Sequence, residues 1–118
     1  MAIHIFDRSS TIAQRFKELI IDAGVEMPVY ISDTYEESVS LLREIKARLV
    51  LLDINFPGNL SCALVQLIKN INPECRVIIL YTFEDELKMK QCLQNGADHL
   101  FNKYNEFEKI PAAIKGNL

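Results

Sequence analysis

Short apolar runs alternate along the chain with stretches in which apolar residues recur every three or four positions. The apolar runs predict five β-strands, at residues 3–6, 29–31, 49–52, 77–80 and 99–101. The third and fourth runs are continuously apolar, which is typical of strands that are covered on both faces. Pro28, at the start of the second strand, suits a strand at the sheet edge. Alternating strands and helices predict a parallel sheet with helices on both faces, an α/β fold.

The helical stretches carry start and stop signals. Thr34 with Glu37 three residues later predicts a capping box, and Gly24 and Gly96 suit helix ends. Helical patterns are predicted over residues 12–20, 34–45, 60–68 and 84–96, with acidic residues 84–86 in the first turn of the fourth. The tail is predicted to form a loose turn at 106–109, followed by a short helix with Pro111 at its first position.

Composition narrows the class of protein. The 118 residues are 49% hydrophobic with a net charge of −3, as expected for one soluble domain that binds neither nucleic acid nor membrane. No apolar run reaches the roughly 18 residues of a membrane span, and no signal-peptide pattern precedes the first strand. Cys62, Cys75 and Cys92 fit no zinc motif and are expected to be reduced packing thiols in a cytoplasmic protein.

Polar residues follow the predicted strands, and in parallel α/β sheets the functional site lies beyond the carboxyl ends of the strands. These residues are Asp7, Arg8, Asp33, Asp53, Tyr81, Thr82, Asn102 and Lys103. No glycine-rich phosphate loop and no Gly-x-Ser-x-Gly elbow is present, which disfavours dinucleotide-binding, P-loop and serine hydrolase functions. His4 and His99 are expected to be structural or solvated.

Three motifs, in order, resemble the receiver domain of two-component response regulators over nearly the whole chain. "LVLLDINFPG" resembles the strand and turn that carry the phosphoacceptor aspartate, and "VIILYTFED" the strand that carries the switch hydroxyl. "NGADHLFNK" is similar to the segment leading to the family's lysine, and Lys103 follows Asp53 by 50 residues and Tyr81 by 22, as is usual there. The resemblance implies a doubly wound sheet with strand order 2-1-3-4-5.

The resemblance also implies roles for the strand-end residues. Asp53 would accept a phosphoryl group as an acyl phosphate, since a carboxylate can attack phosphorus. Lys103 would contact the Asp53 carboxylate or the phosphoryl oxygens. Asp7, Asp53 and the main-chain carbonyl of Asn55 would hold Mg²⁺. The implied activity is that of a phosphoacceptor regulatory domain rather than of an enzyme.

Several positions depart from the family pattern. Arg8 occupies the position of the second acidic residue, so Asp7, Asp53, Arg8 and Lys103 sum to zero charge, and Mg²⁺-dependent phosphorylation is expected to be impaired. Arg8 either turns inward to pair with Asp7 or Asp53 or extends into solvent.

The switch hydroxyl is also altered. Tyr81 takes the place of the switch threonine or serine, and Thr82 cannot simply replace it, because neighbouring strand residues point to opposite faces. Two milder departures follow: Ser61 replaces a usual glycine, and Tyr104 stands where many members have a proline.

The expected function is that of a single receiver domain, residues 1–118, without an effector domain. It would accept phosphate from a histidine kinase or phosphotransfer protein and signal by protein contact, as a monomer or weak homodimer. The partner surface is predicted within residues 84–114, including Lys88, Gln91, His99, Phe101 and the segment 105–114. One alternative is a phosphate-independent pseudo-receiver held in one conformation by an Arg8–Asp53 pair. Another is a small α/β ligand-binding domain or enzyme.

Overall fold

The computed structural model describes residues 1–56, 58 and 60–116. Its strands are β1 (Ala2–Phe6), β2 (Val29–Ser32), β3 (Ala47–Asp53), β4 (Arg76–Tyr81) and β5 (His99–Asn102). Its helices are α1 (Ser10–Asp22), α2 (Tyr35–Glu44), α3 (Ser61–Ile71), α4 (Glu86–Gln94) and α5 (Lys109–Ile114). The sequence also predicts a turn at residues 55–59, around Pro57 and Gly58, and two of these residues, Pro57 and Asn59, lie outside the described residues. Within the described part of the chain, no helix combines the length and apolarity needed to cross a membrane.

The five strands form one parallel sheet in the order β2-β1-β3-β4-β5, which confirms the predicted topology. β2 lies at an edge, as Pro28 indicated. The register pairs Phe6 with Leu52 and Asp53 with Leu80. The carboxyl ends of the three central strands therefore lie side by side.

Two apolar layers cover the sheet. On one face α1 and α5 contribute Phe16, Ile20 and Ile110, which pack on Ile5 and Leu51. On the other face α2, α3 and α4 contribute a second set, which packs on Phe6, Val50 and Leu52; its buried members are Leu42, Leu64, Val65, Ile68 and Cys92. Because both faces of β3 are buried, its run is apolar without alternation.

Three helices, α1, α2 and α4, have side-chain caps at their N-termini, which lie at the carboxyl edge of the sheet. The Ser9 hydroxyl accepts from the Ile12 amide at 3.3 Å, and the Thr34 hydroxyl accepts from the Glu37 amide at 3.2 Å. Asp85 caps α4 by accepting from the Lys88 amide at 3.1 Å. These bonds satisfy amides that have no partner within the helix.

The last helix begins two residues earlier than predicted. α5 starts at Lys109, so Pro111 is its third residue rather than its first. Proline is tolerated there because amides in the first turn have no partner within the helix. Its ring would crowd the carbonyl four residues earlier, and that residue, Phe107, precedes the helix. The predicted loose turn is present up to residue 108.

Candidate functional site

Three side chains from three separate strand ends meet at the carboxyl edge of the sheet. The Lys103 ammonium lies 2.7 Å from Oδ2 of Asp7 and 3.6 Å from Oδ1 of Asp53. The side chains of Asp7, Lys103 and Asp53 are only 3%, 6% and 13% exposed. The predicted convergence of these residues is therefore confirmed, while their chemical roles stay predictions.

Main-chain contacts hold the three residues in place. The Asp7 amide donates to the Ser32 carbonyl at 3.2 Å, and its Oδ1 accepts from the Ser9 amide at 2.9 Å. The Lys103 amide donates to the Tyr81 carbonyl at 2.9 Å, which extends the pairing of β5 with β4 by one residue. Lys103 can then reach across β4 to the ends of β3 and β1.

The two carboxylates have different environments. Asp7 has the shorter contact with Lys103, whereas Asp53 shares its Oδ1 between the more distant ammonium and the Asn55 amide at 3.3 Å. Burial raises the pKa of Asp53, Lys103 opposes the rise, and the Asp7 charge adds to it. Asp53 is thus a partly desolvated carboxylate with oxygen lone pairs left for chemistry.

Arg8 is exposed. Among the described residues it makes no ion pair with Asp7 or Asp53, so the outward alternative is the one observed. The Asp7 carboxylate is already paired with the Lys103 ammonium at 2.7 Å, so an ion pair with an inward-turned Arg8 would add little stabilisation. The cleft itself carries two carboxylates and one ammonium, with the Arg8 charge at its rim.

The oxygen atoms at this edge suit a hard cation. The carboxylates of Asp7 and Asp53 and the Asn55 carbonyl are donors of the kind that Mg²⁺ takes. The Asn55 carbonyl accepts from the Gly58 amide at 2.7 Å and retains a second lone pair. This donor set fits Mg²⁺ with two carboxylates instead of three, one of them tied to Lys103. No cluster of three or more histidine, cysteine, aspartate or glutamate side chains placed to hold a metal occurs within the described residues.

The predicted switch hydroxyls do not contact Asp53. Tyr81 is buried, and the charge of the Glu106 carboxylate acts on its phenol. Burial and this carboxylate raise the pKa of the Tyr81 phenol. Thr82 is half-buried, and its carbonyl accepts from the Asn102 amide group at 3.4 Å. In the described part of the chain neither hydroxyl is bonded to Asp53, so a switching role for Tyr81 or Thr82 stays a prediction.

Lys88 is a site residue that sequence reasoning assigned only to the partner surface. Its ammonium contacts the side-chain oxygen of Asn55 at 3.2 Å and the carbonyl of Gly58 at 3.3 Å. It thereby joins α4 to the loop that follows Asp53. The available signal was the position of Lys88 in the first turn of the helix after β4, because such helices begin at the same edge of the sheet.

Part of the predicted partner surface is wrong. Phe101 is only 6% exposed, because β5 is covered on this face by α5 and the ring packs against Ile110 and Ala113. Lys90 and Gln91 are exposed as expected. The prediction did not name the large apolar side chains that are exposed in or beside this segment: Phe83 at 84%, Leu87 at 70% and Tyr104 at 61%.

A groove of about 270 Å³ opens beside Lys103, between α1 and the segment that joins β5 to α5. Ile12, Phe16 and Leu19 form one wall, and Tyr104 and Phe107 form the other. The groove is mainly apolar, and two charged residues, Arg15 and Lys103, complete its lining.

The fold and the site together define a doubly wound α/β domain with a carboxylate–lysine centre at its strand ends. The response regulator receiver domain model matches residues 3–115. The chain belongs to this family, whose members are regulatory phosphoacceptor domains of two-component systems.

Individual relatives agree with this assignment. The cyclic di-GMP phosphodiesterase of Thermotoga maritima is 32% identical over 87 residues, which cover 70% of this chain and 23% of that protein. The chain spans less than a third of the length of the curated relatives it matches.

Two solved structures have the same fold. The receiver domain of a DNA-binding response regulator from Colwellia psychrerythraea has a TM-score of 0.88 at 19% identity, covering 98% of this chain and 96% of that one. A response regulator from Burkholderia pseudomallei, solved with a phosphorylated aspartic acid, calcium ion and citrate, has a TM-score of 0.85 at 18% identity. That likeness covers 98% of this chain and 67% of the other.

Proposed function

We propose that this chain is a cytoplasmic receiver that accepts a phosphoryl group on Asp53 from a histidine kinase or a phosphotransfer protein. The observation that carries the proposal is the half-buried Asp53 carboxylate, 3.6 Å from the Lys103 ammonium and at the carboxyl edge of the sheet. Family membership supports this class of reaction, and the geometry supports the choice of Asp53 as the acceptor.

The reaction needs one bond to form and one to break. An Asp53 oxygen attacks phosphorus in line with the bond to the donor nitrogen, which leaves with the bonding electrons. Charge on the three equatorial oxygens is stabilised by the Lys103 ammonium, which Asp7 holds beside the acceptor. Bound Mg²⁺, held by Asp7, Asp53 and the Asn55 carbonyl, would add positive charge at the same oxygens.

Arg8 is proposed to weaken that metal site. A +1 and a +2 charge about 5 Å apart repel by roughly 6 to 7 kcal/mol at an effective dielectric of about 20. Because Arg8 is exposed, solvent and salt reduce this severalfold, to about 1 kcal/mol, which is still about a fivefold loss of affinity. The missing carboxylate ligand lowers affinity further.

The phosphate-independent alternative depends on an Arg8–Asp53 pair that holds one conformation. Among the described residues Lys103, and not Arg8, makes the ion pair with Asp53. The geometry therefore favours the phosphoacceptor function over the permanently fixed binding module.

Partner contact is assigned to two surfaces. The groove is mainly apolar and is lined by Lys103, which also contacts Asp53, so a phosphodonor protein seated in it would lie close to the acceptor. The 84–114 face, without Phe101, is the output surface. Lys90→Glu should weaken self-association or partner binding, whereas Lys46→Glu, an exposed lysine just before β3, should not.

Labelling with a small phosphodonor such as acetyl phosphate, followed by intact-mass analysis, tests the assignment. We expect slow labelling of the native protein, none of Asp53→Asn, and faster, more strongly Mg²⁺-dependent labelling of Arg8→Asp. Arg48→Asp makes the same charge change at an exposed position near the start of β3 and serves as the control. Labelling of Asp53→Asn at the native rate would overturn the choice of acceptor. Equal Mg²⁺ dependence of Arg8→Asp and Arg48→Asp would overturn the role of Arg8.

A further inference from the structure

Two of the three thiols meet between α3 and α4. Cys62 is the second residue of α3 and is half-buried, whereas Cys92 on α4 is completely buried. The Cys62 sulfur lies 3.5 Å from the carbonyl oxygen of Lys88, one helical turn before Cys92. Helical side chains lean toward the preceding turn, so the Cys92 sulfur is directed to the same place. The Cys62 thiol is close enough to Cys92 to raise its pKa.

The backbone at this contact is held from both sides. The Asn95 side chain, just after α4, donates to the Cys62 carbonyl at 2.8 Å. The Lys88 ammonium reaches Asn55 and Gly58 in the loop that precedes α3. Hydrogen bonds near both ends of α4 therefore hold this helix against the start of α3 and the loop before it, and the two thiols lie between these bonds.

The two thiols differ in their access to solvent. Burial and the Cys62 thiol raise the pKa of Cys92 to about 12, although the Ser61 hydroxyl and the Lys88 charge oppose the rise. Cys92 is therefore a protonated, inaccessible thiol at neutral pH. Cys62 has surface exposure and is the one that a dissolved oxidant can reach.

We propose that Cys62 and Cys92 form a reversible disulfide when the protein meets a peroxide, covalently joining α3 to α4. The Cys62 thiol loses its proton, and the thiolate attacks one peroxide oxygen. The O–O bond breaks, the departing hydroxide takes up that proton and leaves as one water, and Cys62 becomes a sulfenic acid. Cys92 then attacks the Cys62 sulfur, its proton leaves with the sulfenic hydroxyl as a second water, and the S–S bond forms. One peroxide is reduced to two waters, and two thiols are oxidised to one disulfide.

Cys75 provides a control within the same chain. It is also fully buried, and burial raises its pKa to about 12. It immediately precedes β4, at the opposite edge of the sheet, and its thiol donates to the Arg76 carbonyl. It should remain a free thiol when the other two pair.

Mass spectrometry of the full chain after hydrogen peroxide treatment and thiol alkylation tests the proposal. We expect a product lighter by two hydrogens with one alkylated thiol, a peptide linking residues 62 and 92, and full reversal by dithiothreitol. Cys75→Ser should behave in the same way. Cys62→Ser and Cys92→Ser should form no disulfide, and Cys92→Ser should leave a Cys62 sulfenic acid that dimedone traps.

Unfolding in urea gives a second readout of the covalent connection. The oxidised native protein should unfold at a higher urea concentration than the reduced protein, and dithiothreitol should remove the difference. Three free thiols after peroxide treatment, a linkage through Cys75, or disulfide dimers in place of the internal bond would each overturn the proposal. Because these readouts do not involve Asp53, they stand whether or not the phosphoacceptor assignment holds.

Discussion

Replacing Lys103 with Met removes the cation that two carboxylates share. At 2.7 Å and 3.6 Å, the gross attractions to Asp7 and Asp53 are about 6 and about 5 kcal/mol at an effective dielectric of about 20. Much of this attraction is cancelled by the free-energy cost of removing the three charges from water. The net loss comes from leaving Asp7, whose side chain is 3% exposed, buried without its partner. We expect the free energy of unfolding at pH 7 to fall by about 3–5 kcal/mol, a large part of a small domain's stability.

Urea unfolding followed by far-ultraviolet circular dichroism measures this loss. Lys109→Met is the matched control, because Lys109 also contacts a carboxylate, that of Glu106, at 2.7 Å. Its side chain is 54% exposed, so the same change there should cost less than about 1 kcal/mol. Both lysines lie 2.7 Å from a carboxylate, so the difference between the two losses of unfolding free energy reports the effect of burial.

Acid should reduce the defect of Lys103→Met. Without the ammonium, the ionised forms of both carboxylates are destabilised in the folded protein, so the folded variant takes up protons more readily than the unfolded chain. Its deficit relative to the native protein should therefore shrink as the pH falls from 7 toward 4. A loss no larger than that of Lys109→Met, or a deficit that grows in acid, would refute the reasoning.

Three further stability predictions use the same urea assay. Asp53→Asn should stabilise the protein at pH 7 by about 1 kcal/mol, because burial raises the pKa of this carboxyl; the gain should vanish in acid, where Asp53 is protonated. Burial lowers the pKa of His4, so native stability should fall below about pH 6.5 with a slope of at most about 1.4 kcal/mol per pH unit, and His4→Leu should flatten that slope. Gly96→Ala should cost about 1–3 kcal/mol, because Gly96 has φ +116° and a Cβ would lie 3.0 Å from Lys69; an unchanged midpoint would contradict this.

Local patterns in the sequence were enough to predict the strands, the helices to within three residues at each end, and a set of strand-end residues that includes the three of the cleft. Strand and helix periodicity depend on neighbouring residues only, and the carboxyl ends of parallel strands must share one edge. Asp7, Asp53 and Lys103 could therefore be placed together before any distance was known. The strand order came from the family resemblance.

The tertiary structure alone decided which side chains compete for the same partners. Lys103 reaches Asp7 at 2.7 Å, so Arg8 remains in solvent, a choice that depends on the length and direction of both side chains. Phe101 is buried because α5 covers β5, and a strand pattern does not reveal which helix lies above it.

The contacts of α4 were equally invisible in the sequence. Lys88 meets Asn55 across 33 residues of chain, and Cys62 lies against the turn of α4 that precedes Cys92. Such contacts form where two helices pack side by side, and their rotation and spacing are set by the whole apolar layer beneath them rather than by any local pattern. The chain's periodicity thus determined the frame and the sheet edge at which Asp53 lies, whereas helix packing decided what surrounds that residue.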